Sequence, residues 1–183
     1  IQEGYFHSGE VADINGDGRL DIFPLAEYPS WNLELGGRPR VPLLQNADGS
    51  YAYAPSGLPS IFENYRTINI AIGDINQDQI NDYAIAVYPY PDQLKLKTVE
   101  SLPPLMAIAM GSQGKNLDQL NWQFLGKHWV DQATLDKLNA QGARYIDPGA
   151  QLVDFIDLDQ DGVIEILLSE FIDSGLNMQG GRI

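Results

Sequence analysis

Apolar and polar residues alternate along most of the chain, which predicts many short β-strands. Ile68, Ile70 and Ile72 are separated by Asn69 and Ala71, the two-residue period of a strand with different environments on its two faces. Other runs, such as 166–168, are apolar on both faces, as expected of strands covered on both sides. The pattern predicts strands over 8–15, 21–28, 40–45 and 51–54, then from about 66, over 83–88, 105–110 and 121–125, and finally from about 150 and over 165–172.

Two local signals stand out between these strands. Asp48-Gly49 is typical of a hairpin turn, because it supplies the pair of positive φ angles that a tight turn requires. One short helix is predicted after Asp131, which can cap its N-terminus, with Leu135 and Leu138 three residues apart and Gly142 at its end.

Three acidic loops with a common spacing interrupt the strand pattern. Residues 13–21, 74–82 and 157–165, named here the first, second and third acidic loops, carry Asp or Asn at positions 1, 3 and 5 and an acid at position 9. Glycine follows position 5 in the first and third loops, and Gln79 replaces it in the second. Gly162 suits a point where the chain turns with positive φ.

The spacing of oxygen atoms predicts a calcium site in each loop. Calcium takes six to eight oxygen ligands, and alternate residues of a tight loop can point inward together. The ligands would be the side chains at positions 1, 3, 5 and 9 and the backbone carbonyl at position 7, giving two to three Ca²⁺ ions. The predicted ligands are Asp13, Asn15, Asp17, Arg19 and Asp21, then Asp74, Asn76, Asp78, Ile80 and Asp82, and finally Asp157, Asp159, Asp161, Val163 and Glu165.

Two other types of calcium-binding loop do not fit this spacing. An EF-hand requires an acid at position 12 and flanking helices, but position 12 is Pro24, Ile85 or Leu168. A dockerin-like loop fails for the same reason. Asp and Asn acting as turn formers without metal remain an alternative, most of all in the second loop, where Gln77 and Gln79 depart from the pattern.

The repetition of strand, acidic loop and strand predicts an all-β fold made of β-propeller blades, each a four-stranded antiparallel sheet. The blades would span approximately 8–56, 66–125 and 150–183, in one partial domain over 1–183 with one short helical insertion. About two and a half to three blades cannot close a ring, because propellers use about four to eight. The expected partners are therefore the remaining blades of a larger propeller or a partner subunit.

The loops resemble those of the FG-GAP/VCBS repeat family, the calcium-binding blades of integrin-α-like propellers. The resemblance rests on the acidic loops and on residues 44–51, which look like the Asn-x-Asp-Gly-x-aromatic hairpin of bacterial members. It covers the chain apart from its insertions. It implies a calcium-stabilised propeller, and the family includes adhesion, lectin-like and enzyme-associated modules.

Composition narrows the functional classes. The chain has 183 residues, 44% hydrophobic residues and a net charge of −14, which argues against nucleic-acid binding. No cysteine is present, which excludes disulfides and zinc–thiolate sites. No apolar run is long enough for a transmembrane helix. The chain begins with Ile1 and shows no signal-peptide pattern, so a processed protein or a piece of a longer one is expected.

Three insertions, residues 29–38, 89–104 and 126–147, would lie on the face opposite the acidic loops, where they predict a binding surface for a glycan or a protein. An alternative is that Trp31, Trp122 and Trp129 fill gaps between blades. His7 and His128 have no nucleophile nearby in sequence, so enzyme signals are weak. The predicted function is therefore extracytoplasmic recognition or adhesion. There are two alternatives: the chain is part of a carbohydrate-active enzyme such as a polysaccharide lyase, or it is a structural subunit of the cell envelope. The predicted ligand-binding residues are Trp31, Arg38, Tyr90, Lys127, His128 and Trp129.

Overall fold

The structure, a computed structural model, describes residues 6–26, 40–89, 104–126, 131–141 and 147–173. Within them the protein is predominantly β, with three antiparallel sheets and one α-helix. The strands are β1 Phe6–Ala12, β2 Asp21–Ala26, β3 Leu43–Gln45, β4 Tyr51–Tyr53, β5 Tyr65–Gly73, β6 Asp82–Pro89, β7 Met106–Ala109, β8 Gln123–Leu125, β9 Asp147–Ile156 and β10 Glu165–Asp173, and the helix α1 is Gln132–Ala140.

Each sheet pairs strands in the order in which they follow along the chain. The first sheet has the order β1-β2-β3-β4 and the second the order β5-β6-β7-β8, while the third consists of β9 and β10. Local connections make each sheet a meander, so a strand always pairs with the strand before or after it. A β-bulge shifts the register in the first pair of each sheet. The prediction of an all-β antiparallel architecture is confirmed.

The second sheet lies between the other two and is buried on both faces. Its larger residues, including Ile85 and Val87, share a core with Phe23 and Leu25 of the first sheet. Its opposite face presents alanines at 71, 84 and 86, which pack with Val153 of the third sheet. Because successive strand residues point to opposite faces, this arrangement requires apolar residues at nearly every position of β6.

Predicted strands fall where strands form, but their ends differ. The third strand begins at Leu43 rather than residue 40, because Arg40 has a φ of +64° and turns inward. Its guanidinium is buried and donates hydrogen bonds of 2.9 Å to the Phe62 and Tyr65 carbonyls. β8 begins at Gln123 rather than residue 121, and β1 ends at Ala12, before the first acidic loop.

The predicted helix forms and is capped as expected. Asp131 accepts a hydrogen bond from the Thr134 backbone N–H at 2.8 Å. Hydrogen bonds from the Thr134 side chain and then from its backbone hold the pKa of Asp131 below its usual value. Leu135 is the buried residue of α1. Gly142, the predicted end of the helix, lies outside the described residues. Within the described segments, no helix has the length and apolar character needed to span a bilayer.

The hairpin between β3 and β4 forms, but the expected pair of positive φ angles was wrong. Only Gly49 has a positive φ, at +81°. Asp48 instead accepts hydrogen bonds from the Ser50 N–H and hydroxyl, at 2.9 and 2.6 Å, so its side chain stabilises a wider turn. These bonds also lower the pKa of Asp48.

Candidate metal centre

The three acidic loops occupy equivalent places in the three sheets. The first joins β1 to β2, the second joins β5 to β6, and the third joins β9 to β10. In each, an antiparallel strand pair converges on the loop, with Ala12 opposite Asp21, Gly73 opposite Asp82 and Ile156 opposite Glu165. Position 9 is therefore the first residue of the second strand in every loop.

The position-1 aspartate organises each loop by accepting two backbone hydrogen bonds. In the first loop, Asp13 accepts from the N–H of Asp17 at 3.0 Å and from that of Gly18 at 2.7 Å. Asp74 repeats this pair at 2.9 and 2.7 Å, and Asp157 at 3.1 and 3.0 Å. The side chain at position 3 also accepts from the N–H of position 5 in all three loops. The loops thus share one conformation as well as one spacing.

That conformation requires positive φ at two positions. Position 4 has φ values of +76°, +62° and +61° at Gly16, Gln77 and Gln160. Position 6 has values of +84°, +69° and +88° at Gly18, Gln79 and Gly162. The expectation for Gly162 is confirmed, and Gln79 adopts the same left-handed backbone as the glycines that it replaces.

The acids at position 9 of the first two loops are fully buried and bridge two segments of backbone. Asp21 accepts from the N–H groups of Ile14 at 2.9 Å and Gln45 at 2.8 Å. Asp82 accepts from those of Ile75 at 3.0 Å and Gly111 at 2.8 Å. Each carboxylate thereby ties its acidic loop to the end of the third strand of the same sheet. In the third loop, the Glu165 carboxylate likewise accepts from the N–H of position 2, Leu158, at 2.8 Å.

Hydrogen bonds connect the three loops into one continuous face. Asn81 of the second loop donates its side-chain amide to the Asp13 carbonyl of the first at 2.6 Å. Gln77 donates to the Gly162 carbonyl of the third at 2.7 Å. Both glutamines that depart from the pattern therefore have a structural explanation. Gln77 connects two loops, and Gln79 adopts the backbone geometry of a glycine.

The third loop holds the densest acidic group. Carboxylate oxygens of Asp157, Asp159 and Glu165 lie within 4.8 Å of one another. In the other two loops position 3 is asparagine, and its amide donates to the position-5 aspartate, Asn15 to Asp17 at 2.8 Å and Asn76 to Asp78 at 3.1 Å. The third loop has no such amide, so its carboxylates repel one another most and suit a divalent cation best.

The first loop differs in a second way. The Arg19 guanidinium pairs with the Asp17 carboxylate and donates to the Gln45 carbonyl at 2.8 Å. A cation supplied by the protein therefore already faces one predicted calcium ligand. Among the three loops, the third offers the least internal compensation for its charge.

All fifteen predicted metal ligands lie in described residues. Among these residues, the acidic side chains close enough together to hold an ion are those of Asp157, Asp159 and Glu165 in the third loop. The six predicted ligand-binding residues, Trp31, Arg38, Tyr90, Lys127, His128 and Trp129, lie outside the described residues. The predicted blade 150–183 is described only to Asp173. Trp122 packs edge-on against Phe62, with ring centroids 4.9 Å apart, and donates to the Leu117 carbonyl, as expected of a side chain that fills the core.

Comparison with protein-family models, curated proteins and solved structures found no match for this chain.

The left-handed backbone at Gln79 leads to a stability prediction. Positive φ costs a residue with a Cβ about 1 kcal/mol relative to glycine. We expect Gln79→Gly to raise the free energy of unfolding by about 1 kcal/mol, measured by urea denaturation. Gln113→Gly is the control, because Gln113 is exposed and has no positive φ, and it should be neutral or destabilising. Equal changes in the free energy of unfolding for the two substitutions would contradict the prediction that the backbone of Gln79 is strained.

Proposed function

We propose that this chain forms part of a calcium-stabilised β-propeller that recognises a glycan or protein ligand outside the cytoplasm, without catalysing a reaction. One observation carries the proposal. Three loops of the same acidic spacing adopt the same hydrogen-bonded conformation at the same place in three stacked sheets. The side chains that hold each loop by accepting backbone hydrogen bonds also supply the carboxylate and amide oxygens that calcium takes as ligands.

Calcium would stabilise the closed conformation of each loop. The carboxylates at positions 1, 5 and 9 repel one another as the loop closes, and a divalent ion converts that repulsion into attraction. Position 7 contributes its carbonyl, from Arg19, Ile80 or Val163. Modules outside the cell bind calcium with dissociation constants of about 10⁻⁴–10⁻³ M, concentrations that suit an extracytoplasmic location.

The stacking of the sheets supports propeller blades. The second residue after position 9 faces the next sheet, since Phe23 packs toward the second sheet and Ala84 toward the third. Leu167 is the equivalent residue of the third sheet, and it is 40% exposed together with its neighbours Leu152 at 40% and Ile156 at 38%. A further sheet, from the rest of a propeller or from a partner subunit, would cover this apolar surface.

Removal of calcium tests the proposal directly. At a calcium concentration tenfold above the dissociation constant, each occupied site adds about 1.4 kcal/mol to the free energy of unfolding. We expect EDTA to lower the melting temperature by several degrees for two to three sites, and excess calcium to restore it. A midpoint that EDTA leaves unchanged would overturn the role of calcium.

The third loop supplies a matched variant for the same measurement. Asp159→Asn installs the residue that the other two loops carry at position 3 and relieves the crowding around Asp157. We expect it to weaken the calcium response while leaving the unfolding midpoint in EDTA equal or higher. Asp154→Asn, at an exposed acid on the preceding strand, is the control and should leave the calcium response intact.

Recognition is tested separately from turnover. A glycan array should identify a bound sugar, and a lyase assay on a polyuronate should show no cleavage. Cleavage would instead favour the carbohydrate-active enzyme.

A further inference from the structure

The first acidic loop contains the single Asn-Gly sequence of the chain, at Asn15 and Gly16. Both residues are exposed, and no atom lies within 4 Å of the position that a Cβ on Gly16 would occupy. Such a dipeptide is chemically reactive, because the backbone nitrogen of the glycine can attack the side-chain carboxamide of the asparagine before it. Glycine favours this attack, since it has no Cβ to crowd the approach.

The loop holds the two reacting groups in one tight turn. The Asn15 Oδ1 atom accepts a hydrogen bond from the Asp17 N–H at 3.0 Å, and the ring that this bond closes contains both the carboxamide carbon and the Gly16 nitrogen. The other end of the carboxamide is also held, because its Nδ2 atom donates to the Asp17 carboxylate at 2.8 Å. Within the described residues, the Gly16 N–H has no hydrogen-bond acceptor, so its nitrogen is available to react.

The second acidic loop provides an internal control. Asn76 makes the same two hydrogen bonds, accepting from the Asp78 N–H at 2.9 Å and donating to the Asp78 carboxylate at 3.1 Å. The next residue is Gln77, whose φ of +62° is close to the +76° of Gly16. Its Cβ lies beside the nitrogen that would attack, and its side chain is fixed to another loop by the bond to the Gly162 carbonyl at 2.7 Å. The two loops therefore hold the same carboxamide in the same way, and only the first has an uncrowded nucleophile.

We propose that Asn15 is a site of spontaneous deamidation, with the Gly16 backbone nitrogen as the nucleophile and water as the co-reactant. The Gly16 N–H loses its proton to solvent, and the nitrogen bonds to the Asn15 carboxamide carbon. The carbon–nitrogen bond of the carboxamide then breaks, and its nitrogen takes a proton from water and leaves as ammonia. Water opens the resulting five-membered imide at either of its two carbonyls, which gives aspartate or isoaspartate.

The reaction changes the acidic group of the first loop. Aspartate at position 3 reproduces the acid that the third loop carries there, Asp159, and replaces the bond from the Asn15 amide to Asp17 by repulsion between two carboxylates. Isoaspartate instead adds one carbon to the backbone, which disturbs the bonds that Asp13 accepts from the loop. The consequence for metal rests on the proposed calcium function: aspartate makes closure of the loop more dependent on the ion.

Peptide mass spectrometry of the full chain, kept folded in EDTA at mildly alkaline pH, tests the reaction without any contribution from metal. We expect Asn15 to gain the mass of the amide-to-acid conversion at least about tenfold faster than Asn76. Gly16→Gln should slow Asn15 to the rate of Asn76, and Gln77→Gly should raise Asn76 to the rate of Asn15. Glutamine is compatible with position 4, because Gln77 and Gln160 both occupy it with positive φ.

Two outcomes would overturn the deamidation site: equal rates at Asn15 and Asn76, or conversion of Asn15 in urea but not in the folded chain. Asn15→Asp isolates the aspartate product, and we expect it to lower the melting temperature in EDTA by about 2–4 °C and to enlarge the rise that calcium produces. An unchanged calcium response in this variant would overturn the link to calcium. Failure of the proposed calcium function is distinguishable, because EDTA would then leave the melting temperature of the unmodified protein unchanged.

Discussion

Replacement of Asp82 by alanine is expected to destabilise the protein by about 3 kcal/mol even when calcium is absent. The carboxylate is fully buried and accepts hydrogen bonds from the Ile75 and Gly111 N–H groups. Asp82→Ala leaves both amides without an acceptor, at a cost of about 1–3 kcal/mol each. The corresponding fall in melting temperature is about 10 °C for a chain of this size. Thermal unfolding in EDTA measures the effect without any contribution from metal.

The control for this experiment lies in the same loop. Asp78, at position 5, is exposed and accepts from the Ile80 N–H and the Asn76 amide, which water can replace. Asp78→Ala should therefore cost less than about 1 kcal/mol in EDTA, although it should weaken the response to calcium. If the two variants had the same melting temperature in EDTA, Asp82 would have no structural role apart from binding metal.

Asp21 and Asp82 show how far the sequence could specify the site. The spacing of Asp, Asn and Gly along a loop is a local property, so it predicted the three loops, their positions between strands and the glycine backbone of Gly162. Spacing alone could not reveal that the position-9 acid is buried. The partners of these carboxylates, Gln45 and Gly111, lie 24 and 29 residues away along the chain.

The contacts between repeats could not be predicted from the sequence either, because their partners also lie far apart along the chain. By spacing, Gln77 is a departure from the acidic pattern, whereas in the structure its side chain donates to the carbonyl of Gly162, 85 residues away. The residue pattern predicts a strand that includes Arg40, whereas its left-handed backbone and buried guanidinium place it before β3. Residue pattern predicts which segments are strands, and the packing of sheets then decides where the strands end and which polar groups are enclosed.

The close approach at Gly111 leads to the second large effect. A Cβ at this position would lie 2.2 Å from the Asn81 carbonyl oxygen and 2.6 Å from the Ile80 Cγ2 atom. Backbone cannot yield as a flexible side chain can, so Gly111→Ala must move the segment after β7 away from the second acidic loop. That movement would also stretch the 2.8 Å bond from the Gly111 N–H to Asp82. We expect a loss of at least about 3 kcal/mol, measured by urea unfolding.

Gly114, three residues further on, separates this clash from the general cost of replacing glycine in a turn. It has a φ of +74° and no atom within 4 Å of the position that a Cβ would occupy. Gly114→Ala should therefore cost only the left-handed backbone term, about 1 kcal/mol. Gly57→Ala, whose Cβ would lie 2.4 Å from the Arg40 carbonyl oxygen, should behave like Gly111→Ala in the first sheet. Equal losses at positions 111 and 114 would show that the turn yields, and that the third strand of the sheet does not depend on contact with the acidic loop.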